Sequence, residues 1–336
     1  MRPVSSSRKK TKLAVRLTAL AAIGPILLMA SCNSARTAVP PACHTWLPAI
    51  GSSAATMPSG SGILVFDRLD TTPTSDATWM WSGSCWSQEP GFGGHPVFGS
   101  ALASDSSDSS VVAYGGWDAT AQDAYVALYE TWEFRGGVWT QLLGSGPKLS
   151  GPTAIDDPKL GGVLVIGKGA STEETWLLSK SGWRQLHPEH SPTSRLGASL
   201  GIDPATGAVI AFGGYRIPKD AMTNTWRWTG SDWQLETAAT NELHIPPSGL
   251  IVADRHSLWL LAGAPYTNQV ELWRWAGGTW AFVGAGAPGL KLLGFGAAFD
   301  GHEILVFGGL DESSGTGAQL NTGEWAWSGK TWRRLH

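Results

Sequence analysis

Three strings in the chain carry the spacing of reactive motifs. Gly197-Ala198-Ser199-Leu200-Gly201 fits G-x-S-x-G, which exposes a nucleophilic serine only on a sharp turn between a strand and a helix. Here it falls within a strand pattern, so Ser199 reads as structural. Gly284-Ala285-Gly286-Ala287-Pro288-Gly289 fits G-x-G-x-x-G, but no helical periodicity follows that would offer a helix N-terminus to a phosphate. It reads as a turn. His187 and His190 would make a metal pair, yet Pro188 precludes a helix between them and no third or fourth ligand has suitable local spacing. No catalytic residue, metal set or cofactor motif is therefore assigned.

The three cysteines carry a different chemistry. Arg2, Arg8, Lys9, Lys10, Lys12 and Arg16 precede an apolar run from Leu17 to Ala30, and no acidic residue occurs before Asp67. A basic start followed by an apolar run too short to span a bilayer, which needs about 20 residues, is the pattern of an export signal. The run ends in Leu28-Met29-Ala30-Ser31-Cys32, which resembles the bacterial lipobox, with Met29 where that family usually has leucine. The resemblance implies a signal peptide over residues 1–31, lipidation of Cys32, and an envelope protein held to a membrane on its extracytoplasmic side. Ordinary signal cleavage near Ala30 is the alternative. In an oxidising compartment the remaining Cys43 and Cys85 are expected to form a disulfide between a tether, residues 32–47, and the domain that follows.

Loss of residues 1–31 removes 6 of the 24 basic residues and none of the 27 acidic ones, leaving a formal charge of 18 − 27 = −9. Nucleic acid is an improbable partner for so acidic a surface.

Six copies of one pattern dominate the rest: TWMWSGSCW, TWEFRGGVW, TWLLSKSGW, TWRWTGSDW, LWRWAGGTW and EWAWSGKTW. In each, a second tryptophan follows the first by seven positions, and the first tryptophans, Trp79, Trp132, Trp176, Trp226, Trp273 and Trp325, are 53, 44, 50, 47 and 52 residues apart. Residues two apart share a strand face, and the glycine before the closing tryptophan marks a hairpin. Upstream of each pair lies a continuous apolar run such as Val209 to Phe212, the signature of a strand covered on both faces, and before that a looser strand such as Leu196 to Ile202. Four strands per repeat of about 50 residues cannot bury both faces alone, whereas six repeats stacked radially can. The repeated tryptophans are accordingly assigned to packing between blades.

Apolar strand, glycine pair and tryptophan pair together resemble the kelch repeat, above all Pro192 to Tyr215, PTSRLGASLGIDPATGAVIAFGGY. Asp67-Arg68, Gly167-Lys168-Gly169 and the lone Gly263 depart from the glycine pair. The resemblance implies an all-β, six-bladed kelch-like β-propeller over residues 48–336, with the first and last blades meeting directly. His44-Thr45-Trp46 resembles Lys330-Thr331-Trp332, which leaves an extra strand at the closure open.

The fold hosts many functions. Kelch copper oxidases similar to galactose oxidase need a tyrosine cross-linked to a cysteine, and Tyr114, Tyr125, Tyr129, Tyr215 and Tyr266 are all remote in sequence from Cys43 and Cys85. The reading is a non-enzymatic binding or scaffolding module for a protein or a glycan. The alternative is a carbohydrate-acting enzyme, epimerase-like or oxidase-like, working from loops on the propeller face. Ligand contacts are expected on the variable connections after the glycine pairs, which are long in repeats two, four and six: Trp117, Asp118, Tyr125 and Tyr129; Tyr215, Arg216 and Lys219; Asp311 and Glu312.

Overall fold

The computed structural model describes residues 53–68, 76–91, 97–118, 126–142, 144, 146–216, 220–237, 249–263, 270–287, 294–311, 319–320 and 323–335, all within the second of the two units into which the chain divides, Pro41–His336. Among these residues there are strands and no helix.

The described strands form six antiparallel sheets of four or five strands, each from one continuous segment, and two separate two-stranded hairpins. Blade 1 is β1 (Ser53–Thr56), β2 (Ile63–Arg68), β3 (Asp76–Trp81) and β4 (Trp86–Glu89). Blade 2 is β6 (Ala101–Asp105), β7 (Ser110–Asp118), β8 (Val126–Arg135) and β9 (Val138–Gln141), with β5 (Val97–Phe98) paired to the far end of β7. Blade 3 is β10 (Ser150–Asp157), β11 (Gly162–Lys168), β12 (Glu173–Ser179) and β13 (Gly182–Leu186). Blade 4 is β14 (Ser199–Ile202), β15 (Val209–Phe212), β18 (Thr225–Trp228) and β19 (Trp233–Thr237), interrupted by the hairpin β16 (Tyr215–Arg216) and β17 (Asp220–Ala221). Blade 5 is β20 (Gly249–Ala253), β21 (Leu258–Gly263), β22 (Val270–Trp275) and β23 (Trp280–Ala285). Blade 6 is β24 (Gly296–Phe299), β25 (Ile304–Phe307), β28 (Glu324–Trp327) and β29 (Trp332–Arg334), interrupted by β26 (Leu310–Asp311) and β27 (Gln319–Leu320).

The innermost strands close the ring: β1 touches β6, then β10, β14, β20 and β24 follow in turn, and β24 returns to β1. Blades 1 and 6 thus meet directly, and all four strands of blade 6 come from the C-terminal repeat. His44-Thr45-Trp46, raised as a further closing strand, lies outside the described residues, as do Cys32 and Cys43.

Alternation along each second strand divides its side chains between two neighbours. In β2, Ile63 and Val65 pack with Leu305 and Phe307 of blade 6, whereas Leu64 and Phe66 pack with Leu102 and Val111 of blade 2. This is why the second strands read as unbroken apolar runs. The hairpin glycine between the third and outer strands has φ between 59° and 102° in all six copies, as Gly230 and Gly277 illustrate, a region open to glycine and strained for most other residues.

The closing tryptophan of each repeat joins one blade to the previous one. Trp139 meets Phe66 with ring centroids 6.2 Å apart, Trp183 meets Tyr114 at 4.9 Å, Trp280 meets Phe212 at 6.0 Å, and Trp86 meets Phe307 across the closure at 5.6 Å. In four of the six its indole N–H also reaches back to the threonine that opens the previous blade's Thr-Trp pair. Trp139 donates to Thr78 Oγ1 at 2.9 Å, Trp183 to Thr131 at 3.1 Å, Trp233 to Thr175 at 3.0 Å and Trp280 to Thr225 at 3.0 Å. Blade 5 has Leu272 where these blades have threonine, and the buried Trp332 Nε1 has no acceptor. Burying a tryptophan of roughly 150–250 Å² is worth on the order of 4–6 kcal/mol before entropic costs, against about 1 kcal/mol net for a hydrogen bond. Packing therefore holds the blades together, and the N–H···O bond fixes how they are aligned.

A second recurrence sits at the turn between first and second strands. Asp105, Asp157, Asp203, Asp254 and Asp300 each accept backbone N–H groups two or three residues on, for example His256 and Ser257 at Asp254 Oδ1, both 2.7 Å. Asp300 further accepts Trp81 Nε1 of blade 1 at 3.0 Å, and its carbonyl takes Gly62 N at 2.9 Å, so one turn residue ties the closure.

Replacing Thr225 by valine keeps the shape and leaves the Trp280 N–H buried without an acceptor. Thr225→Val is expected to cost about 1–2 kcal/mol in denaturant unfolding and roughly 2–6 °C in the thermal midpoint, with Thr225→Ser losing much less. A valine variant as stable as the parent would remove the alignment role.

Candidate functional site

Since successive strands within a blade run antiparallel, the connections between second and third strands share one end of the propeller with those between blades. At that end, blades 2, 4 and 6 extend beyond the ring. In blade 2, β7 and β8 continue past a bulge at Gly115, pairing Trp117 with Ala127 and Asp118 with Val126, while β5 adds Phe98 opposite Trp117. In blade 4, Tyr215 pairs with Ala221 and Arg216 with Asp220. In blade 6, Leu310 pairs with Leu320 and Asp311 with Gln319. The long connections read from the sequence as loops are thus short β-ribbons. Blade 3 instead turns tightly, Gly169 N donating to Thr172 O at 2.9 Å.

Six of the nine candidate contacts fall on these ribbons. Trp117, Asp118 and Tyr129 are half-buried on the blade 2 ribbon. Tyr215 is 44% exposed, and its backbone is bound both ways to Leu196 in the loop from blade 3, at 2.8 and 2.9 Å. Arg216 and Asp311 lie in ribbon strands, and Tyr125, Lys219 and Glu312 lie outside the described residues. The three groups stand on three separate ribbons of alternate blades, not on one shared strand.

Beneath the blade 4 ribbon lies a polar cluster that the sequence did not single out. Arg195 is 1% exposed, its Nη1 donating to Gly213 O at 2.9 Å and Asn224 Oδ1 at 2.8 Å, its Nε to Thr193 O at 2.9 Å. Glu173, at the start of β12, accepts the Arg195 backbone N–H at 3.0 Å. Burial pushes the Glu173 carboxyl up to about 7, against the opposing pull of the Arg195 N–H and guanidinium, and burial lowers Arg195 to about 10. An arginine just after a proline and before a strand is the one sequence cue; its partners are 22 and 29 residues away.

The reactive-looking strings have structural places. Ser199 lies in β14, and its Oγ accepts Ile251 N of blade 5 at 2.7 Å, so it joins blades and sits on no elbow. Gly284 and Ala285 end strand β23, so the glycine-rich string read as a turn begins inside a strand. His190 pairs with Asp232, Nδ1 to Oδ2 at 2.8 Å and backbone N to Oδ1 at 2.7 Å, an exposed tie between the blade 3 exit loop and the blade 4 hairpin.

The inner strands enclose a cavity of about 280 Å³ lined mostly by Ala, Leu, Ile and Val. Among the lining residues Asp156 alone is ionisable; burial raises its pKa against hydrogen bonds from Ser106. Thr56 Oγ1 donates to Phe299 O at 2.7 Å and Ser104 Oγ to Thr56 O, so those hydroxyls stitch strands together. Among the described residues lining this channel there is one carboxylate, not the pair of acid and base that sugar epimerisation or hydrolysis draws on.

The Glu173 carboxyl holds its proton more tightly when folded than an unfolded glutamate near 4.3 does. The folded state then binds more protons between the two values, and stability falls as pH rises from about 4.5 to about 7, levelling off above. Glu173→Gln keeps an acceptor for Arg195 N and removes the titration. Denaturant midpoints across this window should show a decline in the parent that is flattened in the variant; matching slopes in both would refute the assignment.

No protein family's profile matches the chain, nor does any curated protein sequence. Solved structures do: the structure of YjhT superposes with a TM-score of 0.62 at 13% identity, covering 86% of this chain and 98% of that one. At that identity the likeness shows the fold alone, and the fold is a six-bladed β-propeller of four-stranded blades.

Proposed function

We propose that the chain is a kelch-like binding or scaffolding propeller, exported and held by a lipid on Cys32 to a membrane of the cell envelope, and that it recognises a protein or glycan with the ribbon-bearing face. The observation that carries this reading is that blades 2, 4 and 6 each raise a β-ribbon from the same end of a ring whose strands are otherwise alike. Variable projections on a rigid frame are where recognition concentrates. The contact set is Trp117, Asp118, Tyr129, Tyr215, Arg216 and Asp311 on the ribbons, together with Tyr125, Lys219 and Glu312, which lie outside the described residues. Among the described residues of the set Tyr215 is the most exposed aromatic, and an aromatic with a polar tip suits both sugar and protein surfaces. The remaining cysteines, Cys43 and Cys85, are assigned to a disulfide that ties the tether to the hairpin between β3 and β4.

A glycan array and a peptide library screened against the full chain test the binding reading. Tyr215→Ala should weaken the selected ligand by roughly tenfold with the thermal midpoint nearly unchanged. Trp117→Ala should weaken it too, with some loss of stability, since Trp117 is half-buried against its ribbon. Full affinity in both variants would move the site off this face. For the anchor, Cys32→Ala should abolish metabolic acyl labelling and release the protein from membranes; retention of both would overturn the lipoprotein reading.

A further inference from the structure

The opposite end of the propeller carries a cleft of about 200 Å³ between blades 5 and 6, lined by Asp254, Arg255, His256, His302, Trp327 and Ser328 with Phe299 and Gly301. His256 and His302 occupy the same place, two residues after the turn aspartate, in consecutive blades. The other blades have Ser59, Ser107, Lys159 and Ala205 there, so the fold does not require imidazole at that place.

Both imidazoles and Arg255 are exposed, and among the described residues no carboxylate pairs with Arg255. The turn carboxylates are already committed. Asp254 Oδ1 accepts His256 N and Ser257 N, and Oδ2 accepts Trp259 Nε1 at 2.7 Å. Asp300 Oδ1 accepts His302 N and Glu303 N at 2.8 Å, and Oδ2 accepts Trp81 Nε1 at 3.0 Å.

Trp327 adds an independent sign. It is the blade 6 counterpart of Trp81, and Asp254 is the blade 5 counterpart of Asp300, but Asp254 Oδ2 is taken by Trp259. Trp327, 7% exposed, is left with a buried Nε1 that has no acceptor. Residues bearing one guanidinium and two imidazoles thus line the cleft together with Trp327, whose unpaired indole N–H is buried behind it, a set rich in donors.

We propose that this cleft binds a small oxyanion, the carboxylate, sulfate or phosphate group of a compact solute, with Arg255 as the charged fork, His256 and His302 flanking it, and Trp327 as a wall. Guanidinium geometry matches two oxyanion oxygens at once. This site lies at the other end of the propeller from the ribbons and stands independently of them.

The full chain titrated with inorganic sulfate, inorganic phosphate and glucuronate, with glucose as the neutral arm, should show saturable binding of at least one anion and none of glucose, read by the Trp327 indole ¹H–¹⁵N resonance and by calorimetry. The preferred anion then identifies the group. Arg255→Gln should weaken it at least tenfold, about 1.4 kcal/mol, and the His256→Gln, His302→Gln pair should weaken it several-fold, while His187→Gln, an exposed histidine elsewhere, leaves it unchanged. Should Arg255→Gln fail to fold, Arg255→Lys serves, since it keeps the charge, loses the fork and should bind more weakly than the parent. Absence of saturable anion binding, or parental affinity in a folded Arg255 variant, overturns the proposal.

Discussion

The contact on which the ring depends is the reach of each repeat's closing tryptophan into the previous blade. One side chain does two jobs there. Its ring covers the aromatic or aliphatic residue ending the neighbour's buried strand, and at four of the six seams its N–H finds the threonine one residue before the neighbour's own first tryptophan. Hydrophobic burial alone would let blades slide against one another, because it has no direction. A hydrogen bond inside an apolar seam does have direction, and leaving it unmade is expensive, so it selects one alignment among many that bury similar area.

That coupling also explains why the fold was legible. The tryptophan pairs, seven positions apart, stand where two blades and one hairpin meet, so their spacing exposes the repeat directly. The unbroken runs such as Ile63 to Phe66 identified the second strands because both faces are covered by different neighbours. The first strands were less legible: Leu196 to Ile202 shortens to Ser199–Ile202, with Leu196 drawn instead into a bridge with Tyr215. Weak alternation in a strand that lines a narrow channel leaves little pattern to read.

The candidate site was legible only in outline. Length alone pointed to the connections of repeats two, four and six, but not to their being ribbons, since two-residue strands such as Tyr215–Arg216 carry no period. The pairing of Glu173 with Arg195 joins residues brought together across two blades, and nothing in either local sequence announces it. The turn aspartates are visible as letters in five repeats, yet their place as acceptors appears only when the hairpins are folded. The same holds for Leu272, an unremarkable apolar residue until Trp332 is seen opposite it without an oxygen.

The closure has a mechanical consequence. Backbone ladders run radially within each blade, whereas neighbouring blades are joined by side chains and scattered hydrogen bonds, at the meeting of blades 1 and 6 as elsewhere. Everywhere else, however, the polypeptide itself continues from one blade to the next. Among the described residues, a tangential force between blades 6 and 1 is borne by Trp86 on Phe307, Trp81 and Gly62 on Asp300, and Thr56 on Phe299. Load applied across that joint can peel it residue by residue, without shearing a single ladder, so the propeller is anisotropic: stiff along its radii and openable at one joint of its circumference.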